Sequence, residues 1–169
     1  MKLLIESDLT PEVGKSIQRD KTGKSYFIEG VFLQADTQNR NGRVYPQAVL
    51  DKEVDRYINE VINQNLISSC GELCHPADSP EVNPDRISHR ILSLNKEGKN
   101  YIGKAKILTE TPCGKIVKIL MDEQLKIGVS SRALGSLQEV NGVQQVQDDL
   151  RISTVDIVGE PSVKDAIVD

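Results

Sequence analysis

Only two stretches of this chain repeat apolar residues at helical spacing. The other apolar runs are short, rich in Val, Ile and Leu, and separated by Gly, Pro and Asn turn signals. Strands that follow one another without helices between them cannot build alternating βαβ units. The pattern therefore predicts an α+β fold, a barrel or sandwich carrying two helices. The strand-like runs cover 26–33, 86–94, 101–108, 127–133, 143–147 and 150–158. Asn41-Gly42 reads as the strongest turn signal. Pro46 opens a helix over about 47–64, with Leu50, Val54, Tyr57 or Ile58, and Val61 inward and Asp51, Glu53, Asp55, Asn59 and Glu60 on its surface. Thr111-Pro112 starts a second helix through Ile116, Ile119 and Leu120. Pro76, Pro80 and Pro84 exclude a helix between 70 and 85.

The chain of 169 residues is one domain by size and can bury a core without staples. Residues 6–25 are polar and carry Pro11, Gly14 and Gly23, so 1–25 reads as an N-terminal arm or linker before a body at 26–169. A net charge of −4 with scattered lysines argues against nucleic acid as a partner. Three cysteines, an odd number, suggest a reducing compartment rather than a disulfide framework. The apolar run Met1–Ile5 is too short for a signal peptide, and no stretch reaches membrane-spanning length. The reading is a soluble protein with no membrane partner and no cofactor.

With only two histidines in the chain, few groups can act as a base near neutral pH. His75 lies in Gly71-Glu72-Leu73-Cys74-His75-Pro76, and the proline holds it extended at a loop edge. Ser130 and Ser131 follow Gly128-Val129 and precede Arg132; on a strand, only one of the two faces a given cleft. Arg132 could orient an oxyanion-binding loop or neutralise charge nearby. In the run 150–158, Leu150, Ile152, Thr154, Asp156 and Val158 share a face by alternation. A carboxylate on a face that is mostly apolar requires a partner, an imidazolium or an arginine. Base, hydroxyl and acid together are what hydroxyl-based acyl transfer needs. His89, alternating with Ile87 and Ile91, competes for the third place, and Asp85 is a further acid to weigh. Cys70, Cys74, His75 and Cys113 raise zinc, but the second closely spaced ligand pair of a zinc site is missing, so no metal is expected.

These motifs, with Arg86-Ile87-Ser88-His89, Gly128 to Gly135, Asp156 to Ser162 and the turn Asn39-Arg40-Asn41-Gly42-Arg43-Val44-Tyr45-Pro46, resemble the prohead core proteases of tailed phages over about 26–163. The resemblance implies a fold and mechanism like those of the herpesvirus capsid maturation proteases: a mainly antiparallel closed β-barrel ringed by helices, a serine nucleophile and a histidine base. It makes Ser130, the first serine of its segment, the nucleophile. It also places Asp156 where the herpesvirus enzymes carry a second histidine, and Ser131 and Arg132 in the oxyanion loop or substrate contact. Further implications are scaffold and major capsid proteins as substrates, self-cleavage, a homo-oligomer, and residence inside the prohead in the host cytoplasm. Family members commonly prefer glutamate before the cut and an aliphatic residue two positions earlier, a pattern that Leu4-Ile5-Glu6 fits. The chain stops soon after Pro161, which suggests a trimmed or truncated form.

The reading is thus a serine endopeptidase of prohead maturation with Ser130, His75 and Asp156 as its triad. The rival is a non-catalytic scaffold component that binds capsid subunits; a small zinc-binding module is the third alternative.

Overall fold

The computed structural model describes residues 1–6, 16–19 and 25–159. Its elements run β1 (Lys2–Ile5), β2 (Ser16–Arg19), β3 (Tyr26–Gln34), β4 (Arg43–Val44), α1 (Gln47–Tyr57), β5 (Cys70–Glu72), β6 (Ile87–Glu97), β7 (Asn100–Ile107), α2 (Pro112–Asp122), β8 (Gly128–Gly135), β9 (Leu137–Val140), β10 (Val143–Val146) and β11 (Arg151–Val158). The class is α+β, with sheet predominating.

Among the described residues the strands form three ladders, ordered β2-β3-β7-β6-β5, β1-β8-β11 and β4-β10-β9. Every pairing is antiparallel except β10 with β4. The closed barrel implied by the resemblance is therefore corrected to three open ladders. The physical reason lies at β5, which is only three residues long. Past Glu72 its direct link to β11 is a single bridge, Leu73 with Ile157, before the proline-punctuated loop leads away. Two-residue turns close the hairpins: Gly98-Lys99 joins β6 to β7, and Asn141-Gly142 joins β9 to β10. Gly98, Asn141 and Gly142 all take positive φ, as such turns require. Strand β9 was missed in the sequence, although Asn141-Gly142 carries the same signal as Asn41-Gly42.

Helix α1 buries Val49, Leu50, Val54 and Tyr57, and one π-helical turn, Ile58–Ile62, continues it with Val61 and Ile62 inward. Glu53 is not on the surface as expected but 4% exposed. A register shift in β11 between Ile152 and Thr154 accompanies an Ile152 N–H that donates to Glu53 Oε1 at 2.9 Å, while Arg56 bonds both Glu53 and the Ile152 carbonyl. These polar bonds clamp α1 onto β11. Helix α2 starts as expected, with the Thr111 hydroxyl accepting from Gly114 N–H and Pro112 in the first turn. It buries Gly114, Val117 and Met121; of the residues that mark it in the sequence, Leu120 is half-buried against the core, whereas Ile116 and Ile119 are exposed. Lys2–Ile5, expected in the arm, pairs with β8 along its length, and Leu4 is fully buried. The remainder of the arm reading, 7–15 and 20–24, and the motif end Glu160-Pro161-Ser162 lie outside the described residues.

Candidate active site

Strands β8 and β11 pair so that Ser130 stands opposite Asp156, Ser131 opposite Val155, and Arg132 opposite Thr154. Side chains alternate along a strand, so Ser130, Arg132 and Asp156 share one face while Ser131 takes the other. His75 reaches that face from the loop after β5. Cys74 N–H donates to the Ile157 carbonyl at 2.7 Å, and Cys74 itself adopts φ +66°, which turns the chain so that the next residue lies over β11. A left-handed backbone at a non-glycine residue is a conformation the surroundings must enforce, and such positions cluster at functional sites.

The three groups form a line. Ser130 Oγ lies 2.7 Å from His75 Nε2, and His75 Nδ1 lies 2.7 Å from Asp156 Oδ2. The tautomer that satisfies both donates Nδ1–H to the carboxylate and leaves Nε2 to accept the serine proton. Asp156 is fully buried, yet both oxygens are served. Oδ2 also accepts from Arg132 Nε at 3.0 Å; Oδ1 accepts from Glu72 N–H at 2.9 Å and Arg132 Nη2 at 3.1 Å. Burial alone would raise the Asp156 pKa, but the His75 bond, the Arg132 charge and the Glu72 N–H outweigh it and hold the carboxyl below its ordinary value. It is ionised at neutral pH, the state an orienting group needs.

Arg132 is spent entirely on this support. Besides Asp156, its guanidinium bonds Glu72 Oε2 at 2.9 Å and the carbonyls of Ser79 and Glu81 at 2.9 and 2.8 Å. Of its two expected uses, neutralising nearby charge is the one this geometry fits, and the loop its side chain holds is the one carrying Ser79 and Glu81; the substrate contact implied by the resemblance does not fit the side chain, which is fully buried and already paired. Glu72 was not singled out in the sequence. A charged residue between Gly71 and Leu73, three positions before His75, was the available signal.

His89 does not enter the line. It is fully buried, with Nε2 2.8 Å from the Val155 carbonyl and Nδ1 2.9 Å from the Ser88 hydroxyl, and burial pushes its pKa down. It lies against Gly71, where a Cβ would sit 2.3 Å from its Nε2. Asp85, on the short 3-10 turn Pro84–Arg86, is exposed. Cys70 is buried, Cys113 half-buried and Cys74 exposed, all three as free thiols. Ser131 contributes through its backbone, its carbonyl accepting from Glu6 N–H at 2.9 Å. A small cleft opens beside Ser130, walled by Phe32, Leu33, Thr37, Tyr45 and Val129.

Comparison with known proteins points the same way. The family described as prohead core protein serine protease matches residues 1–169. The prohead core protein protease of Enterobacteria phage T4 is 36% identical over 148 residues, spanning 84% of this chain and 67% of the relative. The solved structure of the bacteriophage T4 capsid assembly protease superimposes with a TM-score of 0.82 at 31% identity, covering 95% of this chain and 98% of that one. With a match along the full length, a shared fold and a relative above 30% identity, the chain belongs to the prohead core protein serine protease family.

Proposed function

We propose that this protein is a serine endopeptidase of prohead maturation, with Ser130 as nucleophile, His75 as general base and acid, and Asp156 as orienter. One observation carries the reading: Ser130 Oγ, His75 Nε2, His75 Nδ1 and Asp156 Oδ2 lie in sequence with 2.7 Å at both hydrogen bonds. As Ser130 Oγ attacks the scissile carbonyl, His75 Nε2 takes its proton, and Asp156 stabilises the imidazolium that results. His75 then gives the proton to the leaving amine, which departs as the acyl-enzyme forms. Water repeats the sequence: His75 accepts its proton, the new C–O bond forms, and the ester to Ser130 breaks as the proton returns to Oγ. Backbone N–H groups near Arg132 are the oxyanion donors in this scheme. No step calls for a metal or a cofactor.

The substrates are the scaffold and major capsid proteins of the prohead, and this chain itself. The protein works as a homo-oligomer inside the prohead in the host cytoplasm. Support comes from the family and from the names of its T4 relatives, a prohead core protein protease and a capsid assembly protease. The test incubates purified protein with its own scaffold protein and compares fragments with those from Ser130→Ala. Fragments from the parent and none from the variant support the peptidase. Binding to scaffold or capsid protein with no fragments from either selects the non-catalytic scaffold component instead.

A further inference from the structure

The turn 39–45 stands out in the sequence, yet the triad makes no use of it. Its shape is held by the Asn39 side chain, whose Oδ1 accepts from Asn41 N–H and Arg43 N–H at 3.0 Å each, and by Gly42 at φ +75°. This arrangement points four donors at one carboxylate, that of Glu6. Oε1 accepts from Arg43 Nη1 at 2.9 Å and from the Tyr45 hydroxyl; Oε2 accepts from Asn39 Nδ2 at 2.6 Å and Asn41 Nδ2 at 2.8 Å. Glu6 is 5% exposed, and it lines the same cleft as Ser130.

The backbone around Glu6 meets the triad. Its carbonyl oxygen lies 3.1 Å from His75 Nε2, the atom that also faces Ser130 Oγ. Its N–H donates to the Ser131 carbonyl, continuing the antiparallel ladder of β1 on β8. Leu4, two residues back and so on the same side, is fully buried. An extended segment added to a strand that carries the nucleophile, with alternate side chains seated in pockets, is how a peptide binds by β-augmentation.

We propose that residues 2–6 occupy the place of a peptide substrate, with the Asn39–Tyr45 turn as a carboxylate-binding subsite and Glu6 as its intramolecular ligand, so that the segment holds the cleft in a resting, self-inhibited state. With its carbonyl oxygen against Nε2, the segment sits where an incoming acyl group must lie. A peptide carrying an acidic side chain enters only by displacing Glu6. This rests on the cleft being the peptidase site proposed above, but the test is one of binding and does not require turnover.

The experiment uses the full chain with Ser130→Ala and a fluorescein-labelled peptide, Leu-Ile-Glu-Ser-Asp-Leu, which repeats residues 4–9. Fluorescence anisotropy reports affinity, and circular dichroism reports folding. Adding Glu6→Ala should tighten binding at least tenfold, with Glu6→Gln intermediate. Arg43→Met should abolish that gain, and a peptide with Gln in place of Glu should not show it. No tightening with either Glu6 variant, or equal gains for the Glu and Gln peptides, would overturn the proposal. Loss of folding in both Glu6 variants would also overturn it, by making β1 a structural strand. Should scaffold cleavage fail while the peptide still binds as described, the peptidase reading falls and the subsite stands.

Discussion

Ser130 and Asp156 are register partners, directly opposite one another on β8 and β11, and His75 spans the two from above. Partners across an antiparallel pair have Cβ atoms about 5 Å apart, closer than a triad's outer members can be if an imidazole is to fit between them in the sheet plane. The ring must therefore stand over the sheet on a separate element. The loop after β5 provides this, tied to β11 by the Leu73–Ile157 bridge and the Cys74 N–H. Ser130 and Asp156 are placed by a ladder, and only His75 depends on a loop.

Asp156→Asn tests that arrangement. An amide retains the shape but can present its NH2 to His75 Nδ1, which favours the tautomer with the proton on Nε2 and removes the acceptor for the serine proton. The expected loss in kcat is about 10⁴-fold, the magnitude known for this change in a serine protease triad. A kcat–pH profile on a scaffold-derived peptide reads it, and a loss below tenfold would remove Asp156 from the triad.

Arg132 should matter for stability more than its distance from substrate suggests. It is fully buried between two carboxylates, Glu72 and Asp156, that are also fully buried. Arg132→Met takes from both acids the buried cation they share, leaving Glu72 only the exposed Arg86 at 3.5 Å, and removing one partner of a buried ion pair costs about 3–5 kcal/mol. The loss should shrink at low pH, where a carboxyl can protonate. Arg132→Lys should rescue little, since one ammonium cannot replace a fork that reaches Asp156, Glu72 and two loop carbonyls. Urea titrations at neutral and acidic pH measure both effects.

The sequence made the site more legible than the architecture. Asp156 declared itself because a carboxylate on an apolar alternating face must find a partner, and it found both of those expected, an imidazole and an arginine. Sheet closure has no such local signature: whether ladders join depends on how β5 meets β11, which is a tertiary outcome. Glu53 looked like a surface residue because helical periodicity cannot foresee the register shift at Ile152 whose N–H it accepts. The face that α2 buries is not legible in the sequence for a related reason. Ile116 and Ile119 satisfy an apolar spacing as well as Val117 and Met121 do, and packing decides between them. Glu6 was noted only as part of a pattern, since nothing local ties it to a turn more than thirty residues away.

Acid should destabilise the protein in two separate ranges. Burial lowers the folded-state pKa of His89 from its ordinary 6.5, so the unfolded chain binds a proton there first. Stability from this group is complete above about 6.5 and is lost as pH falls from there toward the lower folded value. Asp156 is also lowered, from 3.8; its contribution holds above that value and is lost as pH falls through the folded pKa beneath it. Thermal melts across pH should show the first decline beginning near 6.5. In His89→Gln that decline should vanish while the more acidic one remains, and catalysis at neutral pH should change little if the variant folds.

Gly71→Ala joins packing to catalysis at one atom. A Cβ there would lie 2.3 Å from both His89 Nε2 and the Val155 carbonyl oxygen. The carbonyl belongs to the strand that carries Asp156, and His89 is pinned to that same carbonyl, so neither can yield without disturbing β11. The remaining response is for β5 to move away, which pulls Glu72 N–H off Asp156 and shifts the loop that carries His75. Overpacking of this kind costs about 1–3 kcal/mol, and a displacement near 1 Å at a catalytic group costs on the order of 100-fold in rate. The expected variant has a lower melting temperature and a kcat reduced about 100-fold, with KM nearly unchanged because the cleft walls lie on other strands. Cys70→Ala, on the same short strand, serves as the control: it trims a buried side chain without crowding β11, so it should lower stability and leave kcat close to the parent value. Equal effects of the two changes on kcat would mean that the spacing between β5 and β11 does not set the position of His75.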